Sequence, residues 1–389
     1  MKIEISQRLK NLPPYLFAEI DRMKKEAIVN GRDIIDLGVG DPDMPTPIHI
    51  IESLYESAQN PANHRYALNY GMPLLRNEMA SWYKKRFQVK LNPDTEILPL
   101  IGSKEGIAHI PLAFINPGDE AIIPDPCYPP YISGTIFAGG VCHIVPMLES
   151  NGFFPDLDKI DCQVAKRAKL IFLNYPNNPT AAIANEEFFK KVVDFATENN
   201  IIVCHDAAYS EIYFDGCKPL SFLQIDGAKE IGVEFHSLSK TYNMTGWRIG
   251  FAIGSSEIIK ALAAVKSNID SGIFQAVQFA GIVAMKTDKS HINSLSQMYK
   301  SRRDVLADGL NALGWKVPKP KATFYVWMPV PPGSTSTEFS KMLLEKCDIV
   351  TTPGIGFGRN GEGYIRMALT VSEDRLKEAV GRIKKLHEK

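Results

Sequence analysis

The sequence predicts an α/β protein: a large domain with a mostly parallel sheet between helices, and a smaller α+β domain. Three observations carry this. Short continuous apolar runs alternate with helix-periodic segments through the middle of the chain. Those runs lack the in–out alternation of a sheet with one wet face, as expected for strands buried on both faces. The last hundred residues instead read helix, strand, helix, strand, helix.

The elements follow in order. "EILPLIG" reads as a buried strand, and "SKEGIAHIPLAFI" as the helix after it. "EAIIPDP" is a strand closed by prolines, and "AKLIFLNYPNNPT" is a strand that runs into a turn-rich loop. "NEEFFKKVVDFATENN" places Phe188, Val192, Phe195 and Ala196 on one helical stripe. "IIVCHDAAY" and "GVEFHSLS" are further short apolar strands, and "IGFAIG" reads as the next one. In the C-terminal part, "SHINSLSQMYKSRRDVLADGLNALG" reads as a long helix ending at Gly314. "ATFYVWMPV" is a strand, "STEFSKMLLEKC" a helix, "GYIRMALT" a strand, and "SEDRLKEAVGRIKKLHEK" a closing helix capped by Ser372. The expected division is a large domain over 46–285 and a small domain built from 1–45 and 286–389.

Composition narrows the function. Of 389 residues, 45% are hydrophobic and 23% charged, with Lys+Arg 44 against Asp+Glu 44. This balance gives no general attraction to nucleic acid or an anionic membrane. No run of about 18 apolar residues reads as a membrane span. The acidic, polar opening "MKIEISQRLK" is unlike a secretory signal. Cysteines 127, 142, 162, 204, 217 and 347 are scattered with no Cys-x-x-Cys, the pattern of reduced thiols in a cytoplasmic protein with no metal site.

In open α/β sheets, ligands sit beyond the carboxyl ends of the strands. Gly102-Ser103-Lys104 follows one strand and opens a helix, where free N–H groups suit a phosphate or simply form a turn. Asn177, Asn178, Pro179 and Thr180 follow another, as a turn or as a source of an amide donor. Asp206 ends a third, either as a cap or as partner to a cationic ring nitrogen, with Tyr209 beside it for another ring substituent. His205, a core or loop residue like the other histidines near motifs, stands beside that carboxylate where it could tune it. After the fourth comes Lys240, a surface lysine in a serine turn or an amine made reactive by burial and nearby cations. Ser237, Ser239 and Arg248 around it suit a phosphate. Taken together these describe a phosphorylated aromatic aldehyde whose ring nitrogen needs a carboxylate, namely pyridoxal 5'-phosphate.

With those residues in view, the chain resembles the class I/II aminotransferases, the fold-type I pyridoxal-phosphate enzymes. The likeness rests on "SLSKTYNMTGWRIG", "NYPNNPT", "DAAYSEIYF", "RYALNYGMPLLR" and "GYIRMAL", in family order. It implies that Lys240 is the Schiff-base lysine and proton shuttle, and that Asp206 pairs with the pyridinium nitrogen. Asn178 and Tyr209 would bond the ring's phenolic oxygen, and Tyr128 would stack on the ring. The phosphate would lie among Gly102, Ser103, Lys104, Ser237, Ser239 and Arg248, with Tyr66 reaching it from the second subunit of a homodimer. Arg366 would clamp the substrate α-carboxylate under the backbone of Gly40.

"LPPYLFAEID", "LGVGDPDMPTP", "EFHSLSKTYNMTGWRIGFAIG" and "KSNIDSGIFQAVQ" resemble one subfamily, the LL-diaminopimelate aminotransferases of lysine biosynthesis. This implies Tyr15 near the substrate, Lys104 near its distal acidic end, and Ser271 from the partner subunit. It also implies 2-oxoglutarate as the partner 2-oxo acid. One departure stands out. Plant-type members carry a glutamate just before the glycine of the Tyr-to-Gly segment, where this chain has Asn69 and Tyr70 and no carboxylate. Either Asn69 or another group takes its place, or the substrate differs. The same scaffold serves aspartate, alanine, aromatic and N-succinyl-diaminopimelate aminotransferases. It also serves lyases, which need no amino acceptor, and non-catalytic regulators, which carry an added DNA-binding domain.

Overall fold

The structure is a computed structural model and describes residues 3–13, 18–67 and 70–387. Tyr15 and Asn69 lie outside the described residues.

The strands are, in chain order, β1 (Ile35–Asp36), β2 (Ile97–Leu100), β3 (Glu120–Asp125), β4 (Val141–Pro146), β5 (Ala168–Asn174) and β6 (Ile202–Asp206). They continue as β7 (Gly232–Ser237), β8 (Gly250–Gly254), β9 (Tyr325–Pro329), β10 (Ile349–Val350), β11 (Thr352–Pro353) and β12 (Tyr364–Ala368). Seven form the main sheet, in the order β2-β8-β7-β6-β5-β3-β4. Alternation along β5 shows why its strands read as unbroken apolar runs. Ile171 and Leu173 enter the core on one face, and Leu170 and Phe172 the core on the other.

The pairs β4–β3, β3–β5, β5–β6 and β6–β7 are parallel. The strand expected from "IGFAIG" is β8, and it runs antiparallel to both β7 and β2. A parallel return needs a crossover long enough to traverse the sheet. The link from β7 to β8 holds only the one-turn helix Leu238–Thr241 and the short turn Thr245–Trp247, so the chain reverses.

A further core gathers Leu306 and Leu310 of the Lys289–Ala312 helix, Val326 and Met328 of β9, Leu343 of the Ser336–Cys347 helix, and Ile365 and Met367 of β12. Leu376 and Ile383 of the Glu373–His387 helix close it, and Ser372 accepts the Arg375 N–H at 3.3 Å as the expected cap. Ile35 and Leu37 join this core from the start of the chain, and Tyr209 and Ile212 join it from beyond β6. Among the described residues, no helix is long and apolar enough to cross a membrane, and no cluster of His, Cys, Asp and Glu could hold a metal ion.

Candidate active site

Four strand ends build the floor of one cavity of about 250 Å³. Asn174 and Asp206 are register partners at the ends of β5 and β6. The Asn174 amide donates to the Asp206 carbonyl at 2.7 Å, and its oxygen accepts the Asn178 N–H at 2.7 Å. One asparagine therefore joins two strand ends to the following loop. The Asp206 side chain accepts from Tyr131 Oη at 2.9 Å and from the Ala208 N–H at 3.3 Å, so it shapes a turn while facing the cavity. Burial pushes its carboxyl up. The hydrogen bonds from Tyr131 and Ala208 and the imidazoles of His205 and His236 pull the other way.

At the end of β7, Ser237 caps the one-turn helix by accepting the Ser239 N–H at 3.2 Å. That turn aims Lys240 into the cavity, where its ammonium donates to the Gly40 carbonyl at 3.0 Å. Burial pushes Lys240 down to about 8. Asp41 opposes the shift, and the positive charges of Arg248 and Arg366 add to it. Both causes expected from the sequence, desolvation and nearby cations, are present.

Arg248 follows the Thr245–Trp247 turn, two residues before β8, with φ at 56°, and its Nη1 donates to the Thr245 carbonyl at 2.7 Å. Its guanidinium lies against Gly102, where a Cβ would meet Nη2 at 2.1 Å, and Gly102 itself has φ at 74°. Only a glycine brings the start of the Ser103–Phe114 helix so close to the arginine. Ser103, Lys104, Ser237, Ser239 and Arg248 all line the cavity.

The roof comes from the other core. Arg366 on β12 donates from Nη1 to Asn178 Oδ1 at 2.8 Å and from Nη2 to the Gly38 carbonyl at 2.8 Å. Its carbon lies 4.2 Å from the Tyr325 ring centroid and 4.7 Å from that of Phe357. Its Nε is buried with no partner. With Asn178 Oδ1 taken, the Asn178 amide nitrogen is the group left to donate. Gly40 sits where a Cβ would fall 1.9 Å from Tyr325 Oη. The backbone around it is pinned by Thr352 to Gly38 at 2.9 Å and Thr370 to Val39 at 2.7 Å. Tyr209 and Tyr325 share a hydroxyl contact at 3.1 Å. A second cavity, of about 310 Å³, adjoins the first and shares Gly40, Tyr128, Asn178 and Arg366.

The family model for aminotransferase class I and II matches residues 32–383. The chain belongs to this aminotransferase family. Among its relatives, the LL-diaminopimelate aminotransferase of Syntrophobacter fumaroxidans is 57% identical, with 98% of each chain covered. That of Desulforudis audaxviator is 54% identical, with 97% of each covered. The substrate-bound structure of BacF from Bacillus subtilis superposes with a TM-score of 0.95 at 41% identity, covering 99% of this chain and 98% of that one.

The family's cofactor is pyridoxal 5'-phosphate, and the donor set of this aminotransferase fits it. Hydroxyls, a helix start and Arg248 suit a phosphate; the buried Asp206 carboxylate suits a cationic ring nitrogen; Lys240 suits an aldehyde. The orphaned Arg366 Nε suits a carboxylate beside it.

Tyr66 and Ser271 stand apart from these residues. Both are exposed, Tyr66 by 88%, and neither lines its own chain's cavity. Sequence reasoning missed Asn174, Tyr131 and Tyr325. An asparagine ending the apolar run "IFLN" was a usable signal, of the same kind as Asp206. Tyr325 had none, because its place depends on the pairing of β9 with β12.

Proposed function

We propose that this aminotransferase takes its amino group from LL-diaminopimelate and passes it to 2-oxoglutarate, acting as a homodimer with shared sites. One observation carries the site assignment. Lys240, Asp206, Arg248 and Arg366 come from four separate places in the chain, the last from the middle of β12, and line one cavity. The substrate reading is supported by relatives of that name at 57% and 54% identity over nearly the whole chain.

Bound pyridoxal 5'-phosphate supplies the electron sink that lets the Cα–H bond of an amino acid break. Arg366 holds the substrate α-carboxylate, and the Asn178 bond and the two aromatic rings fix its orientation. The Lys240 amine, neutral in part near pH 8, takes the α-proton and returns it. With the cofactor bound, Asp206 would pair with the ring nitrogen, and Asn178 and Tyr209 would donate to the phenolic oxygen. Arg248, Ser103, Ser237 and Ser239 would hold the phosphate, and Tyr128 would cover the ring. Gly40 closes the substrate side. Lys104, exposed at the cavity edge, offers a cation to a second carboxylate. Exposed Tyr55, Tyr66, Tyr70 and Phe274 support a surface covered by a second copy, to whose site Tyr66 and Ser271 would belong.

A panel of amino donors with 2-oxoglutarate tests the substrate. Turnover of LL-diaminopimelate well above aspartate, alanine and N-succinyl-diaminopimelate is expected, and none with LL-diaminopimelate would sink this reading. A Lys240→Ala variant that still transaminates would sink the site assignment as well.

A further inference from the structure

Beneath Asp206, on the opposite face of the sheet, lies a buried polar cluster that the reaction does not use directly. β6 and β7 run parallel with His205 opposite Glu234, so both side chains leave the same face. Glu234 and His205 are fully buried. Glu234 Oε1 accepts from Tyr83 Oη at 3.0 Å and His236 Nε2 at 2.6 Å. Its Oε2 accepts from Ser221 Oγ at 3.0 Å, the Phe222 N–H at 2.9 Å and His205 Nδ1 at 2.8 Å. Burial alone would push this carboxyl up. The hydrogen bonds and charges of His205 and His236 outweigh it and hold the group far below the usual carboxylate range. The Tyr83 and Ser221 hydroxyls also contact each other, so one of their protons is used there, and the four remaining donors leave no role for a proton on Glu234.

The other nitrogen of His205, Nε2, lies 3.1 Å from the Tyr175 carbonyl. A carbonyl and an ionised carboxylate only accept, so each ring nitrogen has to donate. A neutral imidazole would turn a lone pair against one of them in a site without solvent.

We infer that His205 is a buried imidazolium paired with Glu234, and that the pair is a positioning element for Asp206, the next residue on the same strand. It rests on the reading of Asp206 as partner of the cofactor's ring nitrogen. The pair is neutral as a whole, so the core tolerates it. Its positive end is the one adjoining Asp206, and the negative end lies one strand away. Burial works against a charged Asp206, and the adjacent imidazolium, with the hydrogen bonds of Tyr131 and Ala208, offsets part of it. The groups that bear on Asp206 are Tyr131, Tyr128, Tyr209, His205 and His236. Those that bear on His205 are Glu234 and the Tyr175 carbonyl.

Nitrogen-15 spectra of the histidine-labelled holoenzyme at pH 8 test it, with the His205 signals assigned by their loss in His205→Gln. Two protonated ring nitrogens on His205 are expected. Glu234→Gln should convert His205 to the neutral form and lower kcat at least tenfold. KM for the amino donor should stay within about threefold, because Arg366 and Gly40 are untouched. One bare ring nitrogen on His205 in the parent, or a Glu234→Gln enzyme with kcat within twofold, overturns the inference. Should Glu234→Gln fail to fold, His205→Gln keeps a donor for Tyr175 without the charge. It should show the same loss of kcat, and kcat within twofold overturns the inference equally. A neutral His205 beside an inactive Asp206→Asn enzyme would remove this inference and leave the proposed function standing. A fully active Asp206→Asn enzyme would remove the reading of Asp206 as partner of the ring nitrogen, on which this inference rests.

Discussion

The Lys240 ammonium donates to the carbonyl of Gly40, 200 positions away in the chain, across 3.0 Å. Gly40 can lie there only because it lacks the Cβ whose place Tyr325 takes, and because Thr352 and Thr370 pin the residues before it. The amine proposed to move the proton is thus held by the backbone proposed to cover the substrate.

That burial sets a pH response. Only a neutral amine attacks an aldehyde, and Lys240 is pushed down to about 8 from the ordinary 10.5. Reductive trapping of an aldehyde on Lys240 in the apoprotein, followed by mass spectrometry, should rise through pH 8. Arg248→Gln removes one of the cations that lower it, so the midpoint should move upward. A midpoint near 10 in the parent would contradict this.

Arg366 offers a planar fork with a buried, unpartnered Nε. Arg366→Lys keeps a charge and loses the paired geometry. KM for the amino donor should rise roughly 30- to 100-fold, the order of one charge-assisted bond of about 2–3 kcal/mol. Pyridoxal-phosphate affinity should change little. Steady-state kinetics and a cofactor titration separate the two effects.

Gly102→Ala should act on the cofactor instead. The new methyl meets Arg248 Nη2 at 2.1 Å, and φ at 74° is strained for alanine by about 1–2 kcal/mol. The apoprotein should bind pyridoxal phosphate about tenfold more weakly or worse, measured by quenching of intrinsic fluorescence.

Lys266 bears on stability. Only 1% exposed, it contacts both oxygens of Glu105 at 3.0 Å and both of Asp270 at 2.7 and 2.9 Å. Lys266→Met leaves two carboxylates without their cation and should cost about 3–5 kcal/mol in denaturant unfolding. A loss under 1 kcal/mol would show that solvent reaches the cluster.

Much of this site could be read from the chain because its parts fall at strand ends. Asp206, Lys240 and the Asn178 loop each follow an apolar run directly. What could not be read depends on register between distant segments. Tyr325 reaches the cavity because β9 pairs with β12, some 40 residues on, beside Arg366. Glu234 is an unexplained acid in an apolar strand until Tyr83, His205, Ser221, Phe222 and His236 converge on it. The reversal of β8 follows from a link too short to cross the sheet, and apolar composition alone carries no direction.

That reversal leaves Ser237, Ser239, Lys240 and Arg248 on one short excursion of the chain, from the end of β7 to the start of β8. The groups proposed to address the substrate, Gly40 and Arg366, come from well before and well after it. The catalyst is therefore modular along its own sequence. Selection or engineering can vary the segments that bear Gly40 and Arg366 to suit a new amino acid, while this stretch, together with Asp206 and Asn178, keeps the surroundings of the cofactor.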